Sequence, residues 1–368
     1  MRKSLFAVLS ALILQTLCPA RSPEKPLHGD WDLKLQQVWQ LEDVNGQAWA
    51  DPSAVLLLGN GKIAVFDPRQ GGNTLLSSEG TCIKTFAPRG EGPGEVRRQS
   101  FWFNVAGRIL IPDMGQVHEY DEDGTWIRTR KVRPAPPPRG FSDPDHMVML
   151  PRTIFETGGA KAACSVMDLR DGGTERELFP VTDLFTGGSA KVGEDVMNII
   201  VPGLSPMLEV AVTPTYMVYG SSHTYQLNLI SPEGKPLRSF GLHRSRPFIS
   251  HDKIAQKLKS RNIPEEQLRQ MVHSFPESLV HFTDILVIGD QIWVQNTPQE
   301  DTTSTLFFDV FSEQGSYLYR VRAHLPEGSW LRSPFRNHAI AGDKLMAFSE
   351  SDDGKIHLGS YRIRPPQS

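Results

Sequence analysis

Residues 89–98 carry a dense set of groups that can do chemistry. Their sequence, RGEGPGEVRR, joins three glycines and a proline to two carboxylates and three guanidinium groups. The amides of a glycine-rich loop can bind phosphate where they open onto the start of a helix. Alternatively, Glu91 and Glu95 can supply oxygen ligands to calcium or act as the carboxylate pair of a glycosidase. Arg89 and Arg97 can bind an anionic ligand.

The surrounding sequence favours a simpler role for this stretch. A β-like run follows it rather than a helix, and its acidic residues lack the alternating spacing of a calcium loop. Glycine and proline are also the residues that shape tight corners. We therefore favour a corner in which Glu95 accepts hydrogen bonds from neighbouring backbone amides. The glutamates and arginines of the stretch stay candidates for a ligand site.

Polar residues at the ends of other β-like runs form a second group of candidates. Asp67, Asp113 and Asn296 each end such a run and open a turn. Short polar side chains commonly cap turns, so capping is the simpler interpretation, and a polar ring around a channel mouth is the functional one. His223 and His281 are predicted near the same face, together with His118, His146, His243 and His251.

Several well-known catalytic and metal-binding motifs are missing from the sequence. It contains no Gly-x-Ser-x-Gly nucleophile elbow, no HExxH pair and no CxxC pair. We therefore predict no resident cofactor and no defined metal site, although a divalent cation such as calcium is possible at the acidic candidates.

A recurring phrase shows which elements must position these residues. A β-like run ends in a polar turn with a glycine, and a further short run follows. Glycine supplies the positive φ that such a hairpin turn needs. The copies are SSEGTCIKTF (77–86), DEDGTWIRTR (121–130), SPEGKPLRSF (231–240), SEQGSYLYRV (312–321) and the weaker RDGGTERELF (170–179).

A second hairpin precedes most copies of the phrase, so each unit is predicted to contain four short antiparallel strands. The units cover residues 52–86, 101–132, 147–181, 208–241, 282–321 and, with three strands, 335–363. Repeated four-stranded sheets are typical of a β-propeller.

The predicted fold class is therefore all-β, a six-bladed β-propeller in a single domain over residues 31–366. The alternating segment WDLKLQQVWQL (31–41) is predicted to supply the missing outer strand of the last blade and close the ring. A seven-bladed ring, or a β-sandwich with a second domain, would also contain many short strands. The third unit has the weakest pattern.

Long connections are predicted on one face of the ring, where one unit passes to the next. They cover residues 89–98, 133–145, 182–207 and 242–281. Long loops on a rigid scaffold are where binding groups tend to lie. Residues 242–281, between blades four and five, carry two helical patterns and form either a cap on the ring or a lid over a ligand pocket.

The N-terminus reads as an export signal over residues 1–20. Arg2 and Lys3 precede a short apolar core, and a small residue, Ala20, ends a cleavage site. Lipid attachment at Cys18 is disfavoured by the preceding residues, and Cys82 and Cys164 fall in different units, which disfavours a disulfide. A net charge of −3 gives no case for nucleic acid as a partner. We expect a periplasmic or extracellular protein without a membrane span.

The phrase GEGPGEV between the first two units resembles a feature of bacterial exported six-bladed propeller proteins, relatives of the NHL-repeat and TolB-like propellers. Residues 90–95 match the phrase of that group, whereas Val96 replaces its usual aromatic residue. Asp67 and Asn73 keep part of the NHL pattern, which here lacks its arginine. The resemblance implies this architecture and export.

Three functions follow from the predicted architecture and the resemblance. The first is an exported module that binds an unknown protein or small-molecule ligand through the face bearing the long loops. The second is a metal-dependent hydrolase or lyase, because the resemblance includes lactonases and lyases that draw metal ligands from several blades. The third is a structural partner in an envelope assembly.

Overall fold

The computed structural model describes a β-rich chain with several gaps. The described residues are 20–21, 24–69, 72–97, 102–132, 138–150, 162–181, 188–192, 195–201, 203–259, 263–297, 304–326, 329–331 and 338–363. The predicted export signal, including Cys18, lies outside them except for Ala20.

Short strands open the described chain, and the first two blades follow. The opening strands are β1 (Ala20–Arg21), β2 (Asp30–Lys34), β3 (Gln36–Leu41), β4 (Asp43–Val44) and β5 (Gln47–Ala48). Blade one contains β6 (Ala54–Leu57), β7 (Ile63–Asp67), β8 (Gly72–Leu76) and β9 (Cys82–Phe86). Blade two contains β10 (Phe103–Val105), β11 (Arg108–Asp113), β12 (Gln116–Asp121) and β13 (Trp126–Lys131). In each blade, successive strands pair antiparallel.

Blade three corrects one prediction. It contains β14 (Pro138–Asp143), β15 (His146–Met149), β16 (Ala162–Asp168) and β17 (Thr174–Val181). Residues 133–145 were predicted as a connection, but β14 occupies residues 138–143 of that stretch and the blade begins before residue 147. The prolines of this stretch obscure the strand pattern in the sequence. Pro138 is the first residue of β14, however, and proline is tolerated at the start of a strand.

Blade four lies between two inserted segments. The hairpin of β18 (Gly188–Val192) and β19 (Asp195–Ile199) precedes it. The blade contains β20 (Leu208–Val212), β21 (Met217–Ser221), β22 (Gln226–Ile230) and β23 (Pro236–Gly241). Helices α1 (His251–Lys259) and α2 (Glu265–Ser274) follow it. Their apolar faces share a buried cluster with Val201 and Leu204, so the two inserted segments pack together.

Blades five and six complete the ring. Blade five contains β24 (Phe282–Ile288), β25 (Gln291–Asn296), β26 (Thr305–Ser312) and β27 (Tyr317–His324). Blade six contains β28 (Ser329–Leu331) and β29 (His338–Ala341), both beside β30 (Lys344–Ser351), then β31 (Ile356–Arg362) and β3. Apart from the separate hairpins β4–β5 and β18–β19, the strands of the described residues thus form the six blades of a β-propeller.

The N-terminal strands β2 and β3 divide between two blades. β3 pairs antiparallel with β31 as the outer strand of blade six. β2 pairs parallel with β27 and adds a fifth strand to blade five. Residues 31–41 were predicted as one outer strand, and the break at Leu35 is where the chain passes from one blade to the next.

Apolar clusters between adjacent blades hold the ring together. The cluster between blades one and two contains Leu75, Phe86 and Ile109, and the cluster that closes the ring joins Phe348 of blade six to Ile63 of blade one. Alternation along each strand sends successive side chains to opposite faces, so a blade whose two faces are both covered has apolar residues on both. The first strands of successive blades also contact one another, which places them innermost.

The turn glycine of the recurring phrase has two functions. Gly234 and Gly315 have φ values of 86° and 81°, which favour glycine. A Cβ atom would come within 2.8 Å of Leu178 at Gly234 and of Phe240 at Gly315. The glycine therefore forms the turn and lets it pack against the outer strand of the preceding blade.

Candidate functional site

The stretch at residues 89–97 forms a closed corner between blades one and two. The Val96 amide donates to the Pro88 carbonyl at 2.9 Å, and the Glu95 carboxylate accepts from the Gly92 amide at 2.8 Å. The Tyr120 hydroxyl of blade two donates to the Gly94 carbonyl at 3.0 Å. Because Val96 is buried and Glu95 folds back on its own loop, the corner is rigid and anchored to blade two.

The other charged groups of the corner are arranged differently. Glu91 and Arg89 are exposed. The Arg97 amide donates to Asp113 at 2.9 Å, and its Nε lies 3.6 Å from the same carboxylate. The two glutamates therefore occupy unlike environments, one solvent-facing and one bonded to a backbone amide.

The corner forms one wall of a small cavity, the blade-two cleft. This cleft has a volume of about 230 Å³. Its walls include Glu91, Glu95, Arg97, Asp113, His118 and Trp126.

The carboxylates of Asp67 and Asp113 accept hydrogen bonds from backbone amides in the segments that lead into their own blades. Asp67 is almost fully buried and accepts from the amides of Ala50 at 2.8 Å and Arg69 at 3.0 Å. Asp113 is also buried and accepts from Arg97 as described. The Asp67–Arg69 contact lies within the turn that Asp67 opens, as the capping interpretation predicts, whereas the Asp113–Arg97 contact reaches back 16 positions to the preceding connection.

A larger cavity, the basic cavity, lies beside blade five. Its volume is about 680 Å³. The segment after β23, the strands of blade five and the N-terminal strand β2 all contribute to it. The residues that define it here are Arg244, His281, Asn296, Arg320, Arg322 and His324.

A buried carboxylate fixes the first of these arginines. Asp309 is fully buried and accepts hydrogen bonds from the hydroxyls of Tyr225 at 2.6 Å and Tyr317 at 2.5 Å. The Arg244 guanidinium donates to the same carboxylate, and to Asn296 Oδ1 at 3.0 Å. It also lies 4.5 Å from the centre of the Tyr225 ring. Arg244 is therefore held in one orientation at the cavity wall.

His281 also lines the cavity, and only 8% of it is exposed. Burial, together with the nearby cations Arg244 and Arg246, lowers the pKa of His281 to about 4. Its imidazole is therefore neutral at physiological pH. His223 is exposed and its Nδ1 lies 3.2 Å from Arg246, so both predicted histidines lie close to this basic segment.

Strand β27 contributes two more guanidinium groups to the cavity lining, those of Arg320 and Arg322. Arg320 lies 3.7 Å from Asp30, and Arg322 lies 2.9 Å from Asp32. The Asp32 carboxylate also lies 3.4 Å from His324 Nε2. Strand β2 supplies both aspartates, so the added fifth strand orients these arginines.

The structure separates the predicted site residues into three places. Asn296 and His281 line the basic cavity, and His223 lies beside it. Arg97, Asp113 and the two glutamates of the corner line the blade-two cleft, with Arg89 exposed on the same loop, and Asp67 lies apart in blade one. The predicted residues that line cavities are therefore divided between the basic cavity and the blade-two cleft.

Sequence reasoning missed most groups of the basic cavity. Arg244 and Arg246 belong to a basic pair in the segment LHRSRP, which was a usable signal. Asp309 carried no signal, because it lies within an apolar strand and its partners come from distant positions.

A buried ionic cluster joins the innermost strands of blades three, four and five. Arg139 NH1 lies 3.7 Å from Glu209 Oε2, and Asp284 belongs to the same cluster. Burial raises the pKa of Glu209 to about 8 and that of Asp284 to about 6, and the charge of Arg139 opposes both shifts. In the described parts of the chain, no three His, Cys, Asp or Glu side chains lie close enough together to hold a metal ion.

Two solved structures share the fold. A protein of Bacteroides fragilis described as exported superposes with a TM-score of 0.51 at 12% identity, over 91% of this chain and 99% of that chain. A member of the DUF4221 family from Bacteroides vulgatus gives a TM-score of 0.54 at 10% identity, over 90% of this chain and 98% of that one. At such identities the likeness concerns the fold alone. The sequence matches no protein-family model and no curated protein. Among the described residues, no helix is long and apolar enough to cross a membrane.

Proposed function

We propose that this protein is an exported binding protein that holds an organic anion in the basic cavity. The observation that carries the proposal is the convergence of three guanidinium groups, those of Arg244, Arg320 and Arg322, on one cavity of about 680 Å³. A cavity of this size suits a small molecule. Guanidinium groups bind carboxylate and phosphate oxygens with charge-assisted hydrogen bonds.

The walls of the basic cavity support this assignment in two further ways. Asp309 and Asp32 orient Arg244 and Arg322 before any ligand arrives, which reduces the ordering cost of binding. Phe307, half-buried in the lining, offers an apolar surface to the carbon skeleton of the ligand. An anion with an apolar body, such as an aromatic carboxylate, fits this combination.

A pair of matched probes tests the proposal. Benzoate and benzamide have nearly the same shape and differ in charge, and glucose 6-phosphate and glucose form a second such pair. We expect the anion of a pair to bind at least tenfold more tightly in calorimetric titration, with an affinity that falls as salt is added. Equal binding of benzoate and benzamide, or no binding of either anion, contradicts an anion site.

Substitutions locate the binding. Arg322→Ala removes one charge-assisted hydrogen bond, worth about 1.5–3 kcal/mol before allowance for the partial exposure of this side chain, so we expect about tenfold weaker binding. Arg269→Ala is the matched control, because Arg269 is exposed on α2 and pairs only with Glu265 among the contacts of the described residues. If both variants bind the anion like the wild-type chain, the basic cavity is not the site.

Export is the second part of the proposal. The positive start at Arg2, the apolar core and the small residue Ala20 support cleavage after residue 20. The fold is also that of a Bacteroides protein described as exported. A mass spectrum of the protein recovered from a bacterial periplasm or medium should show a chain beginning at Arg21. A full-length chain retained in the cytoplasm contradicts export.

A further inference from the structure

One face of the blade-five sheet lines the basic cavity. Phe307 of β26 pairs with Arg322 of β27, and paired residues on neighbouring strands have side chains on the same face of a sheet. Asn296 ends β25, and its neighbour Gln295 pairs with Phe308, so Asn296 falls beside Phe307 on the side away from Arg322. Asn296, Phe307 and Arg322 all line the cavity, which therefore has an aromatic ring between an amide and a guanidinium group.

The guanidinium groups of Arg244 and Arg322 are held on opposite sides of this aromatic ring. Arg244 donates to Asn296 Oδ1 of β25 at 3.0 Å and to Asp309 of β26. Arg322 contacts Asp32 of β2 through Nε at 2.9 Å and donates to it through NH2 at 3.0 Å, so it is held on the far side of β27. Because neighbouring strands lie about 4.8 Å apart, the two groups are separated by about two strand spacings, or about 10 Å.

Each of these two groups keeps N–H donors for a ligand. The hydrogen-bonding contacts of Arg244 with the described residues use its NH2, and those of Arg322 use Nε and NH2. A guanidinium group has five N–H donors, so Nε and NH1 of Arg244 and NH1 of Arg322 remain. The side chains are 34% and 41% exposed, which leaves both open to the cavity that they line. Each group can therefore bind one carboxylate of a ligand while an aspartate holds it in place.

Arg246 adds a further positive charge near Arg244. Its NH1 lies 3.2 Å from His223 Nδ1, which is its only side-chain partner among the contacts of the described residues. Its charge acts on the lining residue His281, and both of its neighbours along the chain line the cavity. Asp309 balances Arg244, and the two aspartates of β2 balance the arginines of β27. Arg246 therefore gives the cavity an excess of positive charge.

We infer that the ligand of the basic cavity is a dicarboxylate with an apolar middle. One carboxylate binds Arg244, the other binds Arg322, and the middle of the molecule lies against Phe307. This inference rests on the proposed function and narrows its ligand from an organic anion to a diacid. A monocarboxylate leaves one of the two guanidinium groups without a ligand partner, and a phosphate ester carries its charge at one end only. A volume of about 680 Å³ accommodates such a small molecule.

Three aromatic acids test the inference by calorimetric titration of the full chain. Terephthalate carries carboxylates at opposite ends of its ring, phthalate carries them on neighbouring carbons, and 4-carbamoylbenzoate replaces one carboxylate of terephthalate by a neutral amide. We expect terephthalate to bind at least about tenfold more tightly than 4-carbamoylbenzoate, because its second carboxylate gains a charge-assisted hydrogen bond. Phthalate should bind at least about fivefold more weakly than terephthalate, since it cannot reach both guanidinium groups. Equal affinities of terephthalate and either other acid overturn the inference.

Substitutions at each end locate the two carboxylates. Arg244→Gln and Arg322→Gln each remove one guanidinium group, and the glutamine amide can still donate to the aspartate that held it. In each variant the preference for terephthalate over 4-carbamoylbenzoate should fall below about threefold, because only one end is left and both acids can fill it. Arg269→Ala is the control and should keep the wild-type preference, since Arg269 is exposed on α2. Arg322 is 41% exposed, so its replacement should leave the fold intact, and an unchanged preference in this variant contradicts the inference.

The results distinguish the diacid inference from the proposed anion site. If benzoate binds more tightly than benzamide but terephthalate binds no more tightly than 4-carbamoylbenzoate, the anion site stands and the diacid inference fails. If none of the acids binds, both fail. A preference for terephthalate that is lost in Arg244→Gln and in Arg322→Gln but kept in Arg269→Ala supports both.

Discussion

The buried carboxylate of Asp309 is predicted to be a main support of both the interface between blades four and five and the basic cavity. Replacing it by alanine removes the acceptor of two tyrosine hydroxyls and the partner of Arg244. Tyr317 is fully buried and loses its carboxylate acceptor, whereas Tyr225 and Arg244 keep Asn296 as a weaker alternative. Asp309→Ala should therefore destabilise the protein strongly.

The size of the effect follows from these contacts. A buried donor left without its acceptor costs about 1–3 kcal/mol, and this applies in full to Tyr317. The Arg244 side chain is 34% exposed, so the loss of its ion pair costs less than the 3–5 kcal/mol typical of a fully buried pair. We expect a combined loss of about 4 kcal/mol. With an unfolding entropy of about 2.1 cal/mol/K per residue over about 340 residues, the melting temperature should fall by about 6 °C.

Chemical and thermal unfolding of a graded set of variants measures this loss. Asp309→Asn keeps one carbonyl acceptor and should lose about half as much as Asp309→Ala. Tyr317→Phe removes a donor and should cost about 1 kcal/mol. Glu266→Ala, an exposed carboxylate on α2, is the control and should change the stability by less than about 0.5 kcal/mol.

The order of the variants in their free energies of unfolding is the critical result. If Asp309→Ala lies within about 1 kcal/mol of the wild-type chain, the carboxylate does not support the interface as described. If Asp309→Asn is as damaging as Asp309→Ala, the negative charge matters rather than the number of acceptors. Weaker benzoate binding by folded Asp309→Asn would follow from a less well oriented Arg244.

Three further predictions concern other parts of the chain. Glu95→Ala should cost about 1 kcal/mol and speed the hydrogen exchange of the Gly92 amide, with recovery in Glu95→Gln, whereas unchanged exchange contradicts the closed corner. Because folding raises the pKa of the Glu209 carboxyl from 4.5 to about 8, the folded state holds this proton more tightly than the unfolded chain, so stability should fall as the pH rises from 4.5 to about 8 and level off above that pH. Glu209→Gln should flatten that dependence below about pH 8 in urea titrations, and an unchanged profile would show that another group titrates. Cys82 and Cys164 are both free, and burial raises the pKa of the Cys164 thiol to about 12, so Cys164 should react with a thiol reagent roughly 100-fold more slowly than Cys82 until the protein unfolds.

Much of the fold could be predicted because its signals are local. The turn glycines Gly234 and Gly315 stand at fixed positions between β-rich runs, and each marks a hairpin without knowledge of the rest of the chain. Blade four was predicted with the bounds that the structure has. Blade three was misplaced because prolines before and at Pro138 obscured a strand that tertiary contacts stabilise.

The candidate sites were less accessible to sequence reasoning. Asp67 could be recognised as a turn-capping residue because its contact with the Arg69 amide spans two positions. The contacts of Asp67 with Ala50 and of Asp113 with Arg97 span 17 and 16 positions and could not be recognised in this way. The role of Asp309 could not be recognised, since its partner Tyr225 lies 84 positions away and the residue alternates with apolar neighbours. The charge of the blade-two cleft could not be predicted either, because it depends on how the corner at residues 89–97 folds onto blade two.

The sequence by itself determined the repeated four-stranded unit and the place of the helical insertion between blades four and five, because hairpins and helical patterns depend on neighbouring residues. Only the tertiary structure decided which charges meet. Asp32 contacts Arg322 across 290 positions, and that contact exists because β2 joins the outer edge of blade five. A propeller brings distant strands together by packing blades in a ring, so its cavities combine residues whose local sequence patterns carry no sign of one another.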